Sequence, residues 1–185
     1  DKPGAEEAVY GLINPLVVRH KFEDCVDIPP THTYTMPYYM TPKQQRMYDD
    51  MEEKQLLPLL SSKRVLAVNA AAVITKLLQI ASGAVYDGSG NYEVLDTSRY
   101  EMLMDLAAAR QHPLVFFFWK HQRDLLLQEA EKRGMTFAVI DGETGDDERH
   151  AIVHAYQRGE YDVVFAHPKS AAHGLTMTRG TSTIW

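Results

Sequence analysis

The stretch "YDVVFAHPKSAAHG" (Tyr161–Gly174) decides how this chain reads. Val163 to Ala166 are apolar without alternation, the pattern of a short strand covered on both faces. The run stops at His167, and Pro168, Lys169, Ser170 and a group of small residues follow. In open parallel sheets, ligands sit beyond the carboxyl ends of the strands. Small residues from Ser170 to Gly174 let a backbone approach another group closely, and free amides there would be able to face a phosphate.

Working outward, two further runs share the pattern, "TFAVI" (Thr136–Ile140) and "PLVFFFW" (Pro113–Trp119). Helical segments lie between them. Ser98 and Glu101 have capping-box spacing before Leu103, Leu106 and Ala107, which share a face. The next helix ends with Lys132 and Arg133 before Gly134. A third begins near Thr144, carries Asp146, Asp147 and Glu148 in its first turn and ends at Arg158-Gly159. Helix and strand alternate, and a β-branched run resumes at Thr181. That order predicts a parallel sheet with helical crossovers.

The first half is less regular. "THTYTMPYYM" (Thr31–Met40) alternates but is broken by Pro37, which predicts an edge strand. Thr41, Pro42 and Gln44 supply an N-cap, a proline at the first helical position and a capping-box partner, for a helix running to about Leu57. "VLAVNAAAVITKLLQIASG" (Val65–Gly83) is apolar almost all round, so a helix buried on most sides is expected. Asp87-Gly88 and Gly90-Asn91 predict a hairpin or exposed loop.

The 185 residues fit one domain with an appended segment. A single cysteine, Cys25, excludes an internal disulfide and a cysteine zinc cluster, and favours a reducing compartment. The apolar runs are too short for a bilayer, and no signal peptide opens the chain. The net charge of −6 argues against a strong autonomous nucleic-acid binder, whose affinity comes from neutralising phosphates.

Three strand ends carry the candidate site: Trp119-Lys120-His121, Asp141-Gly142-Glu143-Thr144 and His167-Pro168-Lys169-Ser170. No G-x-x-x-x-G-K-[ST] loop occurs, so the phosphate cradle of an ATPase is missing. His150 and His154 stand four apart without the zinc-protease glutamate. Asp141, Ser170 and His173 form a triad only on paper, with no G-x-S-x-G elbow. The aromatics Phe116 to Trp119 read as core strand rather than a base-stacking platform.

Taken in order, these segments resemble the C-terminal RecA-like lobe of superfamily-two helicases, above all the Swi/Snf-type DNA-dependent ATPases and their bacterial or phage relatives. "INPLVVRHKFEDCVDIPP" is similar to the connector, and "YMTPKQQRMYDDM" and "LLQIASG" to the helices after it. "PLVFFFWKHQRDLL" resembles motif IV, "VIDGETGDDERHAIVHAYQRG" the Asp-Gly-x-Thr step and its helix, and "VVFAHPKSAAHGLTMTRGTSTIW" motif V and the next strand. His173, Thr176 and Met177 depart from the family's common small residue, Asn and Leu.

The resemblance implies an α/β fold, a RecA-like parallel sheet flanked by helices. It implies a connector with an edge strand and a helix over 1–64, and a helicase C-terminal lobe over 65–185 that stops before motif VI. It implies the second motor lobe of an ATP-dependent DNA helicase or translocase. DNA and the N-terminal motor lobe of the same polypeptide would be its partners, with no membrane. ATP and Mg²⁺ would serve the full-length protein, with none tightly held here. The isolated chain would be inactive, with no catalytic and no metal-ligating residue. Lys169, Ser170, Ala171 and Gly174 would hold DNA phosphates, with Lys120, His121, Gly142 and Thr144 alongside. Arg149 would pair with a nearby carboxylate. The location would be cytoplasmic, bacterial or phage-encoded, or nucleoid-associated. Two other readings stay open: a non-catalytic α/β protein-interaction module, and a small-molecule hydrolase using the strand-end Ser and His residues.

Overall fold

Val163, Val164, Phe165 and Ala166 are all fully buried, because their strand lies inside a sheet with helices on both faces. The computed structural model describes residues 4–18, 20, 30–56, 67–171 and 175–185. Four parallel strands form the main sheet: β3 (Leu114–Phe116), β4 (Phe137–Ile140), β5 (Val163–Ala166) and β6 (Thr183–Ile184), in the order β4-β5-β3-β6. Leu114 is in register with Val164 and with Thr183, and Ile140 with Ala166.

Successive side chains on these strands serve opposite faces, as strand geometry requires. Val115, Phe117, Val163 and Phe165 join one cluster with Tyr100 and Met104 of α4 (Ser98–Ala108) and Leu125 and Leu126 of α5 (Lys120–Lys132). Ala138, Ile140, Val164 and Ala166 join the other with Ile152 and Tyr156 of α6 (Asp146–Arg158). The unalternating apolar runs thus report two covered faces. The chain enters the crossover helix α5 after β3 and α6 after β4, so all four strands point their carboxyl ends the same way.

Upstream, α2 (Pro42–Met51) forms the expected capping box. Gln44 Oε1 accepts from the Thr41 N–H at 3.0 Å, and its Nε2 donates to the Ile80 carbonyl at 3.0 Å. A π-helical turn, Glu52–Leu56, follows α2. The long helix α3 (Ala67–Ala81) ends at Gly83, whose φ of +96° and the Asp96 carbonyl, 2.5 Å from where a Cβ would stand, both require glycine. The Gly83 carbonyl accepts from Leu95 N at 2.8 Å, closing an antiparallel hairpin of β1 (Ala84–Tyr86) and β2 (Tyr92–Val94).

Three expectations need correcting. Residues 30–40 carry no strand, and Tyr34 and Met36 are exposed: alternation alone gives an edge strand no partner, and Pro37 withholds a donor. Helix α3 is not buried on most sides. Ala70, Val73, Leu77 and Ile80 face the interior, while Ile74 and Leu78 remain exposed. Ser98 does not cap α4; the Asp96 carboxylate accepts from Ser98 N at 3.1 Å instead, because its short side chain reaches two residues ahead.

The chain divides into two compact units, Asp1–Pro37 and Tyr38–Trp185. The first holds α1 (Ala5–Ile13), continued by a 3₁₀ turn, Asn14–Leu16. Among the described residues, no helix is long and apolar enough to cross a membrane.

Candidate nucleic-acid interface

Three loops leave the carboxyl edge of the sheet, after β3, β4 and β5. In the first, Gln122 Oε1 accepts from Phe118 N at 2.8 Å and Trp119 N at 3.2 Å, capping the start of α5. Lys120, the first residue of α5, is exposed. Phe118 is 60% exposed, and its ring stands edge-on to that of His167 in the third loop, with centroids 6.2 Å apart. The first and third loops are therefore neighbours.

His121 lies elsewhere. It is fully buried, and the surface role expected of it is withdrawn. Its Nε2 lies 2.8 Å from Ser82 Oγ, which itself donates to the Gln79 carbonyl, so the imidazole nitrogen carries the proton. Tyr86 Oη accepts from the His121 N–H at 3.0 Å and sits 3.2 Å from Nδ1. Burial pushes the imidazole pKa down to about 4. The ring fastens the hairpin to α5. Its partners come from 35 and 39 residues upstream, which no local spacing reveals.

The second loop is a turn whose polar groups are mostly consumed internally. Thr144 Oγ1 accepts from Asp141 N at 3.0 Å and faces the Val139 carbonyl at 3.3 Å, so its hydroxyl holds the turn. Asp141 Oδ1 accepts from Glu143 N at 2.9 Å, and Oδ2 accepts from Arg123 Nη1 at 2.9 Å. Gly142 is exposed, and its N–H has no acceptor among the described residues. Burial raises the Asp141 pKa, but the bonds from the Glu143 N–H and Arg123 outweigh it and hold the carboxyl below its ordinary range.

In the third loop, α7 (Pro168–Ala171) is a single turn. The amides expected to be free are engaged: Ser170 N donates to the His167 carbonyl at 2.9 Å, Ala171 N to the same oxygen at 3.1 Å, and Lys169 N to His167 Nδ1 at 3.3 Å. A helical turn uses its own amides, so they cannot also cradle an anion. The side chain of Lys169 is exposed, and Ser170 Oγ has no partner among the described residues. Gly174 and His173 lie outside the described residues.

Arg149 behaves as expected, with Nη1 on Asp146 Oδ1 at 3.0 Å and Nη2 on the Thr144 carbonyl at 3.1 Å. His150 and His154 are exposed, and no three potential metal ligands converge among the described residues. The Asp141 carboxylate accepts from Arg123 and the Glu143 amide, while His173, the histidine of the triad drawn on paper, lies outside the described residues.

Sequence reasoning missed Arg123. It lies in the first turn of α5, where the helix dipole disfavours a cation. That misplacement was the available signal: such a cation needs carboxylates, and Asp124 and Asp141 provide them.

No family model matches the chain. Protein p41 of Acyrthosiphon pisum secondary endosymbiont phage 1 is 30% identical over 142 residues, which is 75% of this chain and 29% of p41. The Sulfolobus solfataricus SWI2/SNF2 ATPase C-terminal domain superposes with a TM-score of 0.59 at 16% identity, covering 78% of this chain and 66% of that one. The same organism's SWI2/SNF2 ATPase core in complex with dsDNA gives 0.59 at 18% identity, covering 97% of this chain and 40% of that one. The chain has the RecA-like fold of a SWI2/SNF2 ATPase C-terminal lobe. It spans less than a third of the length of its phage relative.

Proposed function

We propose that this chain is the second motor lobe of an ATP-dependent DNA helicase or translocase, and that its carboxyl-edge loops track one DNA strand. The observation that carries this reading is the convergence of the three loops at one sheet edge. There the exposed cations Lys120 and Lys169 stand on the loops after β3 and β5, and the neighbouring loop after β4 carries the exposed Gly142, whose N–H has no acceptor among the described residues. The likeness to a SWI2/SNF2 core that was solved with dsDNA supports the choice of ligand.

The contacts assigned are the Lys120 and Lys169 ammonium groups, the Gly142 N–H and the Ser170 hydroxyl. All suit phosphate oxygens. Such contacts position a duplex without reading its sequence, as a motor that moves along DNA requires. The net charge of −6 keeps the affinity of this lobe low, which lets it release and step.

The residues of this chain do not fit a nucleotide cradle: the 185 residues contain no G-x-x-x-x-G-K-[ST] loop. ATP and Mg²⁺ are therefore assigned to the junction with the N-terminal motor lobe of the full-length protein, and the isolated lobe should not hydrolyse ATP. The phage relative points to a phage-encoded or bacterial motor, acting in the cytoplasm or at the nucleoid.

The test is the salt dependence of DNA binding by the full-length protein. Each phosphate contact contributes about 0.9 to the slope of log K against log[salt] on duplex DNA. The Lys120→Ala, Lys169→Ala double variant should lower the slope by nearly two such steps, equally on unrelated sequences. An unchanged slope removes these loops from the DNA site.

A further inference from the structure

Arg123 is a guanidinium set among carboxylates. With Asp124, Asp141, Glu143 and Glu148 it lines a cavity of about 290 Å³ beside the β4 strand end. Its Nε lies 3.1 Å from Asp124 Oδ1, and its Nη1 lies 2.9 Å from Asp141 Oδ2 and 3.9 Å from Glu143 Oε2. Asp124 is held in turn by the hairpin, since Tyr92 Oη donates to Asp124 Oδ2 at 2.8 Å. The Tyr92 ring packs against those of Tyr86 and His121, with centroids 5.5 and 5.8 Å away, and those two rings also touch each other, with centroids 5.5 Å apart. A continuous chain of contacts therefore runs from Tyr92 through Asp124, Arg123 and Asp141 to the Glu143 amide.

We infer that Arg123 is a positioning residue for the Gly142 turn: it locks Asp141 in the orientation that consumes the Glu143 N–H and leaves the neighbouring Gly142 N–H without an acceptor among the described residues, and through Asp124 it ties that turn to the β1–β2 hairpin. The physical need is plain. Asp141, Glu143 and Glu148 would present a phosphate chain with clustered negative charge, and a cation fixed among them offsets it at short range. The lock joins segments 32 residues apart at Tyr92 and Asp124 and 18 apart at Arg123 and Asp141, so hydrogen bonds link the hairpin to the turn. The consequence for DNA rests on the function proposed above; the positioning itself does not.

The experiment compares full-length wild-type protein with Arg123→Met, Arg123→Lys and Tyr92→Phe. Arg123→Met keeps most of the side-chain volume without the charge. NMR follows the Asp141 carboxyl titration and the exchange of the Glu143 N–H. In Arg123→Met, the Asp141 midpoint should rise and Glu143 exchange should quicken about tenfold, the size of one lost charge-assisted hydrogen bond, with Val139 and Ile140 unchanged. Arg123→Lys should recover part of the shift. Tyr92→Phe should move Glu143 exchange in the same direction by less. An unchanged Asp141 midpoint overturns the proposal, as does quickening shared equally by Val139 and Ile140. A response to Arg123→Met with none to Tyr92→Phe overturns the link to the hairpin. Binding of a duplex oligonucleotide by the same variants separates the two readings: a loosened turn with unaltered DNA affinity sustains the role of Arg123 and removes the turn from the DNA site.

Discussion

Gly180 lies against Tyr156 so closely that a Cβ there would stand 2.0 Å from the Tyr156 oxygen and 2.2 Å from the His112 carbonyl. The tyrosine hydroxyl donates to that same carbonyl at 2.7 Å, pinning the end of α6 beneath the segment that leads into β6. Neither obstacle is a flexible tip, since one is backbone and the other is fixed by a hydrogen bond in the core. Gly180→Ala should therefore destabilise by about 1–3 kcal/mol, the usual cost of overpacking. Urea denaturation should show a lower midpoint with an unchanged slope.

Gln44 is fully buried and serves two masters, the Thr41 amide and the Ile80 carbonyl. Gln44→Glu keeps the acceptor for Thr41 but loses the donor to Ile80, placing a carboxylate against a carbonyl. It should cost more than Gln44→Ala, whose loss is about 1–3 kcal/mol for an unsatisfied buried group. Thermal unfolding of the two variants ranks them.

His121 predicts a pH dependence. Its folded pKa of about 4 lies below the unfolded value near 6.5, so the unfolded chain takes up the proton first. The stabilisation is fully present above the unfolded value and is lost as pH falls through the window toward about 4. Between pH 7 and 5 the loss should be about 2 kcal/mol. His121→Gln, unable to titrate, should flatten that part of the stability profile in denaturant titrations at each pH.

The strands were legible because their signal is local. Two covered faces make a run such as Val163–Ala166 apolar at every position, and the sheet placed each run where it was expected. The capping box of Thr41 and Gln44 was legible for the same reason. What escaped depended on distant partners. The exposed face of α3, with Ile74 and Leu78, cannot be told from its buried face by composition, because only the neighbours decide. His121 sat beside an exposed lysine and read as a loop residue until the hairpin closed over it. At the candidate site, sequence placed the three loops at one edge correctly. It could not show that Thr144, Ser170 and Ala171 spend their polar backbone or hydroxyl groups internally.

Hydrogen–deuterium exchange of the full-length protein, with and without duplex DNA, shows whether the loops at the carboxyl edge track phosphates. Adding DNA should protect the segments around Phe118–Gln122, Asp141–Gly145 and His167–Ala171, and leave the opposite edge, around Gly134–Thr136 and Asp162, unchanged. Protection confined to that opposite edge, or none at the three loops under saturating DNA, would exclude these loops as the DNA site.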